Sequence, residues 1–513
     1  MIEAGTITPL AAAPADAEVV VVGAGPIGLM LGCLLVERGV DAVIVDRERP
    51  KTAHSKATLI WPRSLELLDF TGVAEEVVAT GHRIDAVTFN SATEVLRRID
   101  LNALGDTRFN FGVSLHQASV EDILRRRLVE LGGRIVTGDV GDIAPLRDRV
   151  RATVTHGDLH RTIEASWVVG ADGVRSTVRA AMNVGYEGYD VPAQFVLADA
   201  IVHGGPPKNR ADYFFGPSGS LAIGPIGPDL YRVACSVAQV DSAHPEDRQW
   251  LTELIAARAP SLDVDVRGIA FSARFRAQVR HAEKYRVGRL LLAGDAAHRM
   301  TPASGQGMNT GFGDAASLGW RLAAVVRGLL DESALDDYAD ERMSAARRIE
   351  ERTSAQSSHV DDWGDAGSSA NGPVDGTAVD STAVNSDTTT TAMPVPVMST
   401  EELAQFDVQE RTEVNYRDIT VGLGIPVAAQ APTVVAWPGP RWVADEWTSR
   451  LEAIASRVPK GTNIIDASRM GNTRPLCVSG AAEGFAVIRP DGVVERRCAY
   501  DEVIDHLRTA GWR

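Results

Sequence analysis

The feature that most constrains this chain is Gly23-Ala24-Gly25-Pro26-Ile27-Gly28, set between an apolar run ending at Val22 and a helix-forming run that continues to Arg38. A strand over Glu18–Val22, a glycine turn, a helix from about Pro26 and a second strand over Asp41–Asp46 make a βαβ opening. In such an opening each glycine has a job. Gly23 permits the tight turn, Gly25 lets the backbone approach a pyrophosphate, and Gly28 lets helix and strand pack closely. Asp46 ends the second strand, where a carboxylate binds ribose hydroxyls. The helix N-terminus supplies free N–H groups and partial positive charge for phosphates. That local charge matters, because 52 basic residues stand against 68 acidic ones, a net charge of −16. Such a field disfavours nucleic acid and anionic membrane surfaces.

Two further segments place a carboxylate where an apolar strand ends. One is Gly170-Ala171-Asp172-Gly173-Val174-Arg175-Ser176-Thr177-Val178-Arg179. The other is Leu291-Leu292-Ala293-Gly294-Asp295-Ala296-Ala297-His298, which continues through Thr301-Pro302-Ala303-Ser304-Gly305-Gln306-Gly307-Met308-Asn309. Ligands of open α/β sheets bind at such strand ends. The glycine loop entering a helix suits a developing negative charge.

Together the three segments resemble the class A flavoprotein monooxygenases, in particular the phenol and aromatic polyketide hydroxylase branch. The resemblance covers about residues 18–350. It implies an α/β fold: a Rossmann-like FAD-binding domain of hydroxybenzoate hydroxylase type, a β-rich substrate domain and a C-terminal thioredoxin-like domain without redox cysteines. The expected division is a flexible N-terminus over 1–17, the FAD-binding domain over 18–184 and 284–360, and the substrate domain over 185–283. A low-complexity linker over 361–400 and the C-terminal domain over 401–513 follow. The linker is rich in Ser, Thr, Gly and Asp, too polar to offset its ordering entropy. A hairpin is expected about Asp491-Gly492.

The resemblance implies FAD as cofactor, NADPH or NADH as co-substrate, and O2 as oxidant. Its cofactor residues are Gly23, Gly25, Pro26, Ile27, Gly28, Asp46, Arg47, Lys56, Gln117, Asp172, Asp295, Pro302, Gly305, Gly307, Met308 and Asn309. Within that set, Asp46 binds the adenosine ribose and Gln117 lies along the ribityl and phosphate chain. Asp295 bonds a ribityl hydroxyl, and the Met308 and Asn309 backbone N–H groups face the flavin pyrimidine edge. Trp61, Phe89, Tyr213, Phe215 and Pro302 are candidates for the substrate pocket, and Tyr213 is the candidate base. The pattern departs from the family at Lys56, where arginine is usual, and at Thr58, where phenol hydroxylases carry a catalytic aspartate. Ile226 stands where hydroxybenzoate hydroxylases hold a carboxylate-binding arginine, which points to a substrate other than a small benzoate.

The implied reaction is hydroxylation of an aromatic or polyketide-like substrate through a flavin C4a-hydroperoxide. Baeyer–Villiger or epoxidising oxygenation, an FAD-dependent reductase or dehydrogenase, and an FAD-containing ligand-sequestering protein remain as alternatives. The four cysteines Cys33, Cys235, Cys477 and Cys498 form no CxxC pair and no metal-ligand spacing, which reads as free thiols in a reducing cytoplasm and no metal site. With no basic-apolar leader at the start and no apolar run of spanning length, the expectation is a cytoplasmic monomer or homodimer.

Overall fold

The structure is a computed structural model. It describes residues 7–47, 57–104, 107–216, 219–237, 247–301 and 305–365, and beyond these the segments 433–437, 463–466, 484–489 and 494–498. Lys56, Pro302 and residues 366–400 of the expected linker lie outside the described residues, whereas 361–365, expected to begin that linker, end the helix Ala334–Asp365.

Strand β1 (Asp16–Val22) carries four consecutive buried valines, Val19–Val22. A strand covered on both faces needs such a run, and here it sits in the middle of a parallel sheet. Helix α1 (Pro26–Glu37) opens with Pro26 in its first turn, where the missing N–H costs nothing. Gly39, at φ +73°, turns the chain into β2 (Ala42–Asp46). The sheet runs in the order 286–287, 290–292, 159–170, β1, β2, 134–137. All pairings from 290–292 onward are parallel. Strands 139–145 and 150–156 form an antiparallel meander with the start of 159–170. The expected βαβ opening is therefore present within a residue or two. Strand 159–170 is much longer than its apolar end suggests.

The second sheet has the order 298–299, 264–282, 186–204, 230–237, 221–225, 210–214, 86–90, 95–100. Its spine is two 19-residue strands, Tyr186–Gly204 and Val264–Ala282, paired antiparallel across several bulges. Its last two strands come from far earlier in the chain than the 185–283 segment. Ala86–Asn90 pairs parallel with Arg210–Phe214, and Val95–Asp100 adds to it. Parallel pairing across more than a hundred residues leaves no local pattern to read. At the opposite edge His298–Arg299 pairs with Arg280 and His281, which ties the loop after Gly294 to this sheet.

Two cores result. A large one joins both faces of the parallel sheet to α1, helix Gln117–Glu130 and helix Gln306–Val326. A smaller one fills the space between the second sheet and helix Arg248–Arg258. Helix Ala334–Asp365 packs on 306–326. Residues 7–15, expected as part of a flexible lead-in, instead form a bridge at Thr8 and a short 3-10 turn at Leu10–Ala12, because Leu10 is buried in the large core. Near the C-terminus a sheet runs in the order 463–466, 433–437, 484–488, 494–498. Its last two strands pair antiparallel either side of the expected hairpin turn, and the turn residues are outside the described set. Arg489 bridges this sheet to Glu341 at 2.7 Å, and Arg321 reaches the same carboxylate at 2.8 Å. No helix among the described residues is long and apolar enough to cross a membrane.

Candidate active site

A cavity of about 1580 Å³ runs from the carboxyl ends of the parallel strands to the inner face of the second sheet. A pocket for one small ligand is roughly 300–1,000 Å³, so this one has room for two.

At one end Gly23 has φ +106°, and an added Cβ would stand 2.4 Å from the Ala171 carbonyl oxygen. Only glycine fits there. The Ala24 N–H donates to Asp46 Oδ1 at 3.1 Å, which fixes the carboxylate at the turn. A Cβ on Gly25 would face open space, and α1 has no side-chain cap. Gly25, Pro26 and Ile27 thus bring the start of the helix, where N–H groups have no partner within the helix, to the cavity wall. Gly28 packs against Gly23 and does not reach the wall. Arg47, Gln117, Glu121 and Arg125 continue the lining. Gln117 donates to Glu121 Oε1 at 2.8 Å, and burial raises the Glu121 carboxyl above its ordinary range.

The second carboxylate, Asp172, accepts from the Thr177 N–H at 2.6 Å through Oδ2, while its Oδ1 is buried without a partner. Burial raises its pKa as well. Arg179 donates to the Val174 and Ala296 carbonyls at 2.6 and 2.9 Å, bracing this segment to the third. Arg175 stands exposed on the cavity wall.

The third segment hangs on Asp314, which is wholly buried. Its Oδ2 accepts from Gly294 N–H at 2.9 Å and His298 Nε2 at 2.6 Å, and its Oδ1 from Arg342 Nε at 2.8 Å. Burial alone would raise this carboxyl, but the facing His298 and Arg342 outweigh it and hold it below the ordinary range. Asp295 stands exposed on the wall beside Gly294. Helix 306–326 starts at Gly305 (φ +66°), again without a side-chain cap, and Gly305, Gly307 and Met308 line the cavity. Asn309 lies behind the wall. Its side chain donates to Leu59 O and Gly305 O and accepts from Trp61 N at 3.0 Å, so it fastens the helix to the strand at Leu59.

The other end is the face of the second sheet. Phe195 and Leu197, Ala211 and Tyr213, Arg232 and Ala234, and Phe271, Ala273, Phe275 and Ala277 line it at the two-residue spacing of strands. Phe195 and Phe275 stack at 5.8 Å. Arg232 grips Asp199 with two bonds of 2.5 and 3.0 Å, so its charge is neutralised. Burial pushes the Tyr213 phenol up to about 12. Of the expected pocket residues, Tyr213 is at the wall. Trp61 is buried in a small apolar cluster, and Phe89, in register with Tyr213, stacks beside it and against Phe215 without joining the lining. The alternation Phe271/Ala273/Phe275/Ala277 against Ser272, Arg274, Arg276 and Gln278 was readable in the sequence as one face of a strand. Which face is inward was not.

The residues fit FAD. Two helix N-termini without a side-chain cap, an open Cβ direction at Gly25 and the carboxylate residues Asp46, Asp172 and Asp295 all meet one long cavity. Fold and site define a Rossmann-type flavoprotein with an attached substrate sheet. A family model described as FAD binding domain matches residues 16–353, and the chain belongs to that family. It is 33% identical over 350 residues to an uncharacterized aromatic compound monooxygenase of Bacillus subtilis, covering 67% of this chain and 69% of that one. It is 35% identical over 335 residues to the 6-methylpretetramide 4-monooxygenase of Streptomyces rimosus, covering 65% of this chain and 60% of that one. The fold matches that of an aklavinone-11 hydroxylase solved with FAD and aklavinone, with a TM-score of 0.70 at 24% identity over 97% of this chain and 99% of that one. The protein is an FAD-dependent monooxygenase of the aromatic hydroxylase class.

Proposed function

We propose that this enzyme hydroxylates a neutral, multi-ring aromatic compound of polyketide type, using NADPH or NADH and O2. The observation that carries the reading is the width and chemistry of the substrate end of the cavity. Five alanines, at 211, 222, 234, 273 and 277, line it beside Phe195, Phe271 and Phe275. Small side chains on strands hollow the wall, and the aromatic rings offer stacking surfaces. Arg232 is already paired, which argues against a substrate carboxylate as its partner.

In this reading Gly23, Gly25 and the first turn of α1 hold the pyrophosphate, and Asp46 with Arg47 the adenosine ribose. Gln117 and Asp295 take the ribityl side, while Asp172 orders the turn facing the flavin. The start of helix 306–326, from Gly305 to Met308, favours negative charge on the flavin pyrimidine edge. The first four N–H groups of a helix lack internal partners; Asn309 comes after them and acts through its side chain. When bound, FAD supplies hydride acceptance and oxygen activation, and the protein positions the substrate and excludes water. Tyr213, with a phenol near 12, stays protonated at neutral pH and donates a hydrogen bond to a substrate oxygen; it does not serve as the base. For the C-terminal region we propose a thioredoxin-like unit. Its support is the strand order, with 433–437 parallel to 463–466 and antiparallel to 484–488.

The test is NADPH and NADH oxidation by the flavin-loaded enzyme over a panel of phenols, quinones and polycyclic polyketides, with 18O2 to trace the oxygen. A multi-ring compound that stimulates oxidation and gains one labelled hydroxyl oxygen is the expected result. Ring expansion to a lactone would instead favour the Baeyer–Villiger alternative. Stimulation by simple phenols alone would refute the substrate class. Ala234→Leu should raise the KM of a multi-ring substrate about tenfold, the cost of overfilling a packed wall being roughly 1–3 kcal/mol.

A further inference from the structure

The cavity continues past Asp46 and Arg47 to a mouth formed by Ile7, Pro9, Leu10 and Ala11 on one side and His156 and Leu159 on the other. The arm carrying the first four lies before residue 16, where the family match begins. It is nevertheless fixed in place. Thr8 N–H donates to Ile135 O at 2.8 Å, Thr137 N–H donates to Thr8 O at 3.3 Å, and Leu10 is buried in the main core. The arm extends the parallel sheet by one bridge at Thr8↔Val136, beside the last strand 134–137. Its residues then alternate. Leu10 points inward, whereas Ile7, Pro9 and Ala11 are exposed at the cavity mouth.

Two of the large apolar side chains left exposed among the described residues line that mouth, Ile7 and Leu159, each 45% exposed. Held by ordered backbone at the rim of a ligand cavity, such a pair suits a flat apolar ring. The ring must belong to the part of the cofactor next to the ribose, since Asp46 and Arg47 are the adjoining wall.

We propose that the arm Ile7–Ala11 is a built part of the cofactor site and, with Leu159 of the facing hairpin, covers the purine of the bound dinucleotide. The proposal rests on the assignment of Asp46 to the adenosine ribose. It adds to this end of the site an arm that lies outside the family-matched residues 16–353. It also assigns the arm a role in retaining the cofactor, with no role in the oxygenation step.

The experiment uses the full-length flavin-loaded enzyme and the variants Ile7→Ser and Leu159→Ser. Val95→Ser serves as a control, because Val95 is also exposed but lies away from the cavity. FAD release on dilution is followed by the rise of free-flavin fluorescence, and adenosine diphosphate is titrated as a competitor for FAD uptake. Each cavity variant should weaken FAD binding about five- to tenfold, the loss expected for uncovering an aliphatic side chain. Adenosine diphosphate affinity should fall by the same factor, with the thermal midpoint lowered only as far as the weaker FAD binding accounts for and Val95→Ser like the wild type. FAD affinity within twofold of wild type in both variants would overturn the proposal. So would weaker FAD binding with unchanged adenosine diphosphate binding, which would put the effect elsewhere on the cofactor. If the wild-type enzyme retained FAD while Asp46→Ala left adenosine diphosphate binding intact, the ribose assignment itself would fail.

Discussion

Removal of the Asp314 carboxylate tests how the third cofactor segment is held. In Asp314→Ala, Arg342 loses its ion pair and stays buried, and Gly294 N–H and His298 lose their acceptor. Breaking a buried pair from one side costs about 3–5 kcal/mol, mostly because a charge is left uncompensated. For a unit of this size that is a fall in thermal midpoint of roughly 6–12 °C. The double variant Asp314→Ala/Arg342→Met removes the stranded charge and should recover about half the loss, since the two sites share one interaction. The carboxylate also leaves a signature in pH. Its folded pKa is depressed, so its contribution is complete above the unfolded value of about 3.9 and is lost as pH falls through the folded one. Asp314→Asn should therefore be less stable at pH 7 and lose less on acidification than the wild type. Thermal and urea unfolding of the flavin-loaded enzyme from pH 3 to 8 would show it. A single variant within 1 kcal/mol of wild type, or a double variant with the two losses simply added, would refute the account of Asp314 as the charge-compensated anchor of the Gly294 turn.

Gly25→Val should leave folding intact and strip flavin from the purified protein, because its side chain would occupy open cavity. Gly23→Ala should lower the thermal midpoint as well, its Cβ meeting the Ala171 backbone at 2.4 Å. Flavin content per protein and melting curves separate the two, and equal melting points would sink the distinction. Tyr213→Phe should weaken substrate binding by about 1 kcal/mol, a single hydrogen bond, and leave the pH profile of turnover between 6 and 9 unchanged. Loss of a pH-dependent limb in that variant would restore Tyr213 as a base.

The βαβ turn that opens the candidate site was legible in the chain because its signals are local. Gly23, Gly25 and Asp46 fall within one βαβ unit, and a turn that demands φ +106° admits glycine alone. Pro26 at a helix start and the valine run of β1 likewise act through the nearest turn or strand. The pairing of 86–90 with 210–214, the closing of the Thr8 arm on strand 134–137, and the meeting of Asp314 with Arg342 were settled by tertiary structure. The substrate end belongs to the same group. Phe89 and Trp61 look like pocket residues by type, yet both pack into a small apolar cluster beside Tyr213, and the lining is made by Phe195, Phe275 and Ala234. Strand alternation assigns residues to two faces, but only the partner packed against a face decides which one encloses the ligand.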